Sequence, residues 1–209
     1  LTVLALCLIS CGEDDAPQNN NNTAEYFPLS ANSSWSYNNE SENQNSQDNM
    51  FVVGTQQEQG EQYTNLDTQE AVPGGFMVGL LTQNLVRKDS GKLIINGSFG
   101  GVPVEGFPDI SIPLNNVTLF DPNAQDETQL NSITGSFEET IMEFPINIEY
   151  SSTTTQEQVL SSYTTDIQTY TDVIQSKIVL NLEISTQIQL GGTTLTLPIL
   201  SSQDVLVVE

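Results

Sequence analysis

The sequence predicts an all-β fold: an antiparallel, strongly twisted sheet forming a sandwich or an open half-barrel. Three observations carry that prediction. Ile178, Leu180, Leu182, Ile184, Ile188 and Leu190 alternate with Val179, Asn181, Glu183, Ser185, Gln187 and Gln189, the period of a half-buried strand. Gly191-Gly192 then forms a two-residue hairpin loop of the primed type, and the apolar alternation resumes beyond it. Finally, Met142, Phe144, Ile146, Ile148 and Tyr150 repeat the same two-residue period, and no apolar stripe supports a helix longer than about three turns.

The N-terminus reads differently. Residues 1–10 are an uncharged, largely apolar run that ends on Leu8-Ile9-Ser10-Cys11. A membrane-spanning helix needs about 20 residues; a secretory leader's apolar region needs about 7–15. The chain begins at Leu1 with no positive segment before the run, so a truncated leader is expected. The residues resemble a bacterial lipobox, and that resemblance implies a diacylglyceryl group on Cys11; the other reading is a buried N-terminal strand with an incidental cysteine, which the lack of polar alternation disfavours. Cys7 would leave with the leader, so the mature chain is expected to carry neither disulfide nor free thiol. Several acyl chains on one residue give stable anchoring, whereas one gives only marginal binding. Glu13, Asp14 and Asp15 directly follow Cys11-Gly12. They resemble the acidic export signal of Bacteroidota surface lipoproteins; a solvated start to a linker is the other reading. Residues 11–25 form a polar tether that lacks apolar residues to offset the cost of ordering, and about 14 flexible residues separate domain and lipid by about 20 Å.

A β domain is expected over residues 26–209. It opens on Tyr26-Phe27-Pro28-Leu29, five residues, then Trp35-Ser36-Tyr37. This pattern resembles the opening motif of a group of Bacteroidota outer-membrane lipoproteins, which implies a β domain and no particular activity. Trp35 and Tyr37 share one strand face and bury large area there. They are read as a core or sheet-end plug, with a ligand-facing sugar-stacking platform as the alternative. In the resembling proteins further β structure closes the domain, so a continuation past Glu209 is expected.

Asn38 to Asn49 is polar and reads as a long loop. Strands are expected at Met50–Val53 and Gln62–Leu66, and Val72-Pro73-Gly74-Gly75 reads as a turn. Phe76, Leu80, Leu81 and Leu85 are spaced for a helix, but Gly79 weakens it, and a strand is preferred over 76–86. Leu85–Lys88 and Lys92–Ile95 flank Asp89-Ser90-Gly91 as a hairpin. It gathers Arg87, Lys88 and Lys92, three of the chain's 4 bases, on an outward spot. Residues 97–113 hold four glycines and three prolines and are expected at an edge or in a loop. Ile110, Ile112 and Leu114 alternate, as do Val117 and Leu119 up to Asp121-Pro122. Pro145 marks the 142–150 strand as an edge, and Ser151–Thr155 reads as a polar connection. In the Gly191-Gly192 hairpin, Leu190 should face Thr193, Ile188 Leu195, and Ile184 Ile199.

Composition narrows function. The net charge is −23, from 27 acids against 4 bases, which disfavours nucleic acid and anionic head groups as partners. No histidine is present, which removes the commonest general base and metal ligand. No nucleophile elbow or phosphate loop occurs. Asp121, Asn123 and Asp126 are the single calcium-like stretch, but Gln125 at position 5, Asp126 at position 6 and Ser132 at position 12 break the EF-hand pattern; a polar turn is the other reading. No cofactor is otherwise expected.

Three functions are weighed. A non-enzymatic module on the cell surface, anchored to the outer membrane by its lipid, would bind an unidentified protein or glycan and show exposed aromatics along a groove. An envelope-assembly or lipid-shielding lipoprotein would show a continuous apolar cavity. A glycan-active enzyme would need two buried carboxylates about 5–10 Å apart, with Glu138, Glu139 and Glu143 the nearest cluster.

Overall fold

The computed structural model describes residues 26–40, 45–71, 73–102, 110–141, 144–165 and 168–208. Cys11, Glu13, Asp14, Asp15 and the tether lie outside the described residues, as do Met142 and Glu143. The all-β expectation holds: two antiparallel sheets face each other and do not close into a barrel.

The first sheet is a meander of six strands in sequence order: β1 (Ser34–Glu40), β2 (Asn45–Glu58), β3 (Glu61–Thr68), β4 (Leu85–Asp89), β5 (Lys92–Val102) and β6 (Ile110–Phe120). Its one interruption is α1 (Phe76–Thr82), between β3 and β4. The second sheet is a meander of four: β7 (Thr128–Ile141), β8 (Phe144–Thr164), β9 (Thr169–Leu190) and β10 (Thr193–Val208). The segment 121–127 carries the chain from one sheet to the other. Hairpins between neighbours build both sheets, so most pairing is local.

The two sheets meet where β6 crosses β8 and β9. Ile110, Ile112, Ile146, Ile148, Leu180, Leu182 and Ile184 form one buried cluster. Full burial of each such side chain is worth about 1.5–3 kcal/mol. A second cluster lies on the six-stranded sheet and takes in Val78, Leu80 and Leu81 of α1. A bulge in β6 keeps both halves of that strand facing inward. Three β6 steps, Val117 to Leu114, oppose two β5 steps, Ile95 to Gly97, and Asn116 adopts φ 52°. That extra residue is why the alternation changes parity between Leu114 and Val117.

Several expectations need correction. Residues 38–40 and 45–49 are strand, not loop: Asn38 pairs with Gln47 and Tyr37 with Asp48. Residues 76–82 are helical. Ser151–Thr155 is not a connection but the middle of β8, with Ser152 and Thr154 buried on the inner face. Nor is β8 an edge, since it lies between β7 and β9. Pro145 is tolerated because pairing to β9 begins one residue later, at Ile146 opposite Thr186; its carbonyl accepts from Thr186 Oγ1 at 2.7 Å. In the β9–β10 hairpin Leu190 does oppose Thr193 and Ile188 opposes Leu195, but Ile184 opposes Leu200 because the register slips after Pro198. The Gly-rich half of β5 does lie at an edge on one side, since β4 pairing stops at Asn96.

Candidate functional site

The sheets splay apart beyond the shared cluster, and the outer arms of β8 and β9 extend over the six-stranded sheet. Between them lies an open-sided groove of about 570 Å³, within the roughly 300–1,000 Å³ of small-molecule sites. Met77 and Leu81 of α1, with Leu93 and Phe120, line one wall; Leu160, Tyr163 and Ile174 line the other. Among the described residues no charged side chain lines it, although the chain carries 31 charged residues, 27 acids and 4 bases.

The opening motif builds one side of this groove. Tyr26 meets Phe120 edge-on, with ring centroids 6.1 Å apart. Phe27, at φ 54°, stacks on Trp35 at 4.5 Å with planes 7° apart. One face of Trp35 is thereby covered, and the indole supports the wall through Phe27. Phe27 and Tyr37 reach the groove itself. Burial pushes the Tyr37 hydroxyl well above the ordinary tyrosine range, because the phenolate would lose its water. Neutral tyrosine therefore persists across physiological pH.

Helix α1 is held in place by contacts from far along the chain. Asp48, buried on β2, accepts from Gly74 N at 2.9 Å and Gly75 N at 2.7 Å, and from Asn39 Nδ2 at 2.9 Å. Gly75 is the N-cap of α1, so its amide is one of the donors that a helix start leaves unpaired; Gly74 precedes it. A Cβ on Gly74 would strike Ser46, and one on Gly75 would strike Asn39. At the other end, buried Asn84 donates to Leu80 O at 2.7 Å and accepts from Ser98 N at 2.6 Å, tying α1 to β5.

The calcium candidates are engaged otherwise. Asp121 accepts from Asn123 N at 2.9 Å and pairs with Lys92 at 3.0 Å. Burial opposes its ionisation, but the Asn123 amide and Lys92 outweigh it and hold the carboxyl below its usual range. Asp126 accepts instead from Val159 N at 3.0 Å. Among the described residues, no group of three or more acids or cysteines is placed to hold a metal. Gln156 completes the clamp on this segment, accepting from Asp121 N and donating to Ala124 O, both at 3.1 Å. The basic spot is also internally paired, with Arg87 3.5 Å from Asp89.

Glu138 and Glu139 are exposed on β7, and Asp48 is the one buried acid among the described residues. The pair of buried carboxylates that glycoside cleavage requires is not formed there. Sequence reasoning missed Asp48, Gln156 and the far wall of the groove. Leu160, Tyr163 and Ile174 sit in a stretch rich in Ser, Thr and Gln, and their convergence with α1 depends on how far the two hairpins overlap.

Compared with protein-family profiles, with curated proteins and with solved structures, the chain matches none.

Proposed function

We propose that this chain is a lipid-anchored outer-membrane surface protein that acts by binding rather than catalysis, sheltering an apolar ligand in the groove between its sheets. The observation that carries the reading is the groove: about 570 Å³ lined mainly by aromatic and aliphatic side chains, with no charge among the described residues. A pocket of this size and polarity is the usual form of a small-molecule site. The lipobox resemblance at Cys11 supports the anchor, and the acidic residues after it support an outward-facing location. This reading joins ligand binding to lipid shielding, the two non-enzymatic functions weighed from the sequence.

The test is fluorescence of the neutral apolar probe N-phenyl-naphthylamine. The chain should enhance its emission saturably, and Ile174→Trp, which fills the groove from its half-buried wall, should weaken binding at least about tenfold while circular dichroism stays unchanged. Equal binding by both proteins would locate the probe elsewhere and refute the groove. The anchor is tested by metabolic labelling with an alkyne fatty acid, expected for the natural chain and absent from Cys11→Ala.

A further inference from the structure

Ser176 is the one groove residue whose polar atom stands out. It lies on β9 opposite Gln156 and lines the groove. Its Oγ is shielded from solvent and has no hydrogen-bond partner. Gln156, opposite it, makes its side-chain bonds to Asp121 N and Ala124 O instead. A buried hydroxyl without a partner costs about 1–3 kcal/mol, so a ligand that supplies one gains a bond the protein does not make by itself.

The groove's charges set the rest of the ligand's chemistry. With no cation among the described lining residues, a carboxylate head would lose water and gain no counter-ion. The chain's charge of −23 adds long-range repulsion. An ammonium head would meet no carboxylate among the described lining residues. Lys177, next to Ser176, is paired with Glu157 at 3.6 Å.

We infer that the groove selects an uncharged aliphatic ligand with one hydroxyl or ester group, placed to hydrogen-bond Ser176 Oγ. This rests on the groove being a binding site. Tyr37 adds a second uncharged hydroxyl on the facing wall, kept neutral by burial.

The experiment displaces N-phenyl-naphthylamine from the full chain with four dodecyl compounds at pH 7.5: dodecanol, monolauroylglycerol, laurate and dodecylamine. The two neutral ligands should bind about tenfold or more tightly than laurate and dodecylamine. Ser176→Ala should weaken both neutral ligands about 3- to 10-fold, the range of one hydrogen bond, and shift laurate and dodecylamine by less. Ser176→Thr, which keeps the hydroxyl, should restore most of the loss. Probe binding without preference for a neutral head would overturn the ligand class and leave the groove standing, as would a neutral preference that Ser176→Ala does not reduce. No probe binding at all would overturn both.

Discussion

Asp48→Ala tests the claim that a single buried carboxylate builds α1 and, through it, one wall of the groove. The substitution removes the acceptor for Gly74 N, Gly75 N and Asn39 Nδ2. Each bond to a carboxylate is shorter and stronger than a neutral one. Removal of one partner leaves a buried donor at a cost of about 1–3 kcal/mol. Asn39 keeps Ser46 Oγ at 3.1 Å, so its loss falls at the low end, and the three together come to about 3–5 kcal/mol. For a domain whose total stability is about 5–15 kcal/mol, that is a large fraction. The assay is urea unfolding of the chain from Ala24 onward, followed at Trp35, the sole tryptophan, which lies opposite Met50, two residues along β2 from Asp48. With a urea slope of about 2 kcal/mol/M, the midpoint should fall by about 1.5–2.5 M. Glu139→Ala, at an exposed acid, should move it by less than about 0.3 M. A shift for Asp48→Ala no larger than for that control would refute the argument that this carboxylate organises the helix start.

Other outcomes follow from the same structure. Leu182→Ala, at a fully buried position between the sheets, should cost about 2–5 kcal/mol in the same urea assay. Gln156→Leu keeps the volume but orphans Asp121 N and Ala124 O, and should cost about 2–4 kcal/mol while speeding amide exchange in segment 121–127. Glu70 offers a pH test. Its carboxyl is lowered to about 2 by the Thr68 hydroxyl first and the Asn49 backbone amide second. A depressed folded value gives stability that is present above the unfolded value of 4.5 and lost as pH falls toward about 2. Glu70→Gln should therefore flatten the stability curve between pH 4.5 and 2, and a curve parallel to the parent would count against the assignment. On the β9–β10 hairpin, Leu195→Thr with Leu197→Thr should change stability by no more than about 0.5 kcal/mol each, since both side chains are exposed.

That last pair shows where the sequence misleads. Apolar alternation from Ile178 to Leu190 predicts one buried face, and it does locate the strand and the Gly191-Gly192 turn. Periodicity reports which side chains share a face, not how far the opposing sheet reaches. Ile184 is fully buried, while Leu190, Leu195 and Leu197 on the same face are exposed. The converse holds on β8: Ser152, Thr154 and Gln156 continue the inward face of Ile146 and Ile148, yet the polarity of Ser151–Thr155 reads as a connection. Burial there follows from the strands on either side. Helix α1 is illegible for a different reason. Its start is fixed by Asp48, more than 20 residues earlier in the chain, and its end by Asn84 bonding into β5. Gly79 carries about 1 kcal/mol of local helix penalty, and these non-local contacts outweigh it.

The same contrast of local and non-local information explains the groove. The aromatic side of its near wall was legible, because the Tyr26–Tyr37 motif gathers aromatics at one sheet end, whereas the part of that wall built by α1 was not. Its far wall was not, because β8 and β9 are long strands, 21 and 22 residues, set against six-stranded-sheet strands of at most 14. A sheet whose strands outrun its partner must leave some inner face without a facing layer. At the hairpin end this face is simply exposed. At the other end α1 and the aromatic motif rise toward it without filling the gap, and an apolar groove results. The lack of charge among its described lining residues is therefore a property of the inner face. A carboxylate placed there would shut the site to apolar ligands, and Ile174→Glu, at a half-buried position that should tolerate folding, is expected to abolish probe binding at pH 7.5 and recover part of it as the pH is lowered through the carboxyl's raised range. Binding unaffected by that charge would mean that apolar ligands do not enter between the sheets.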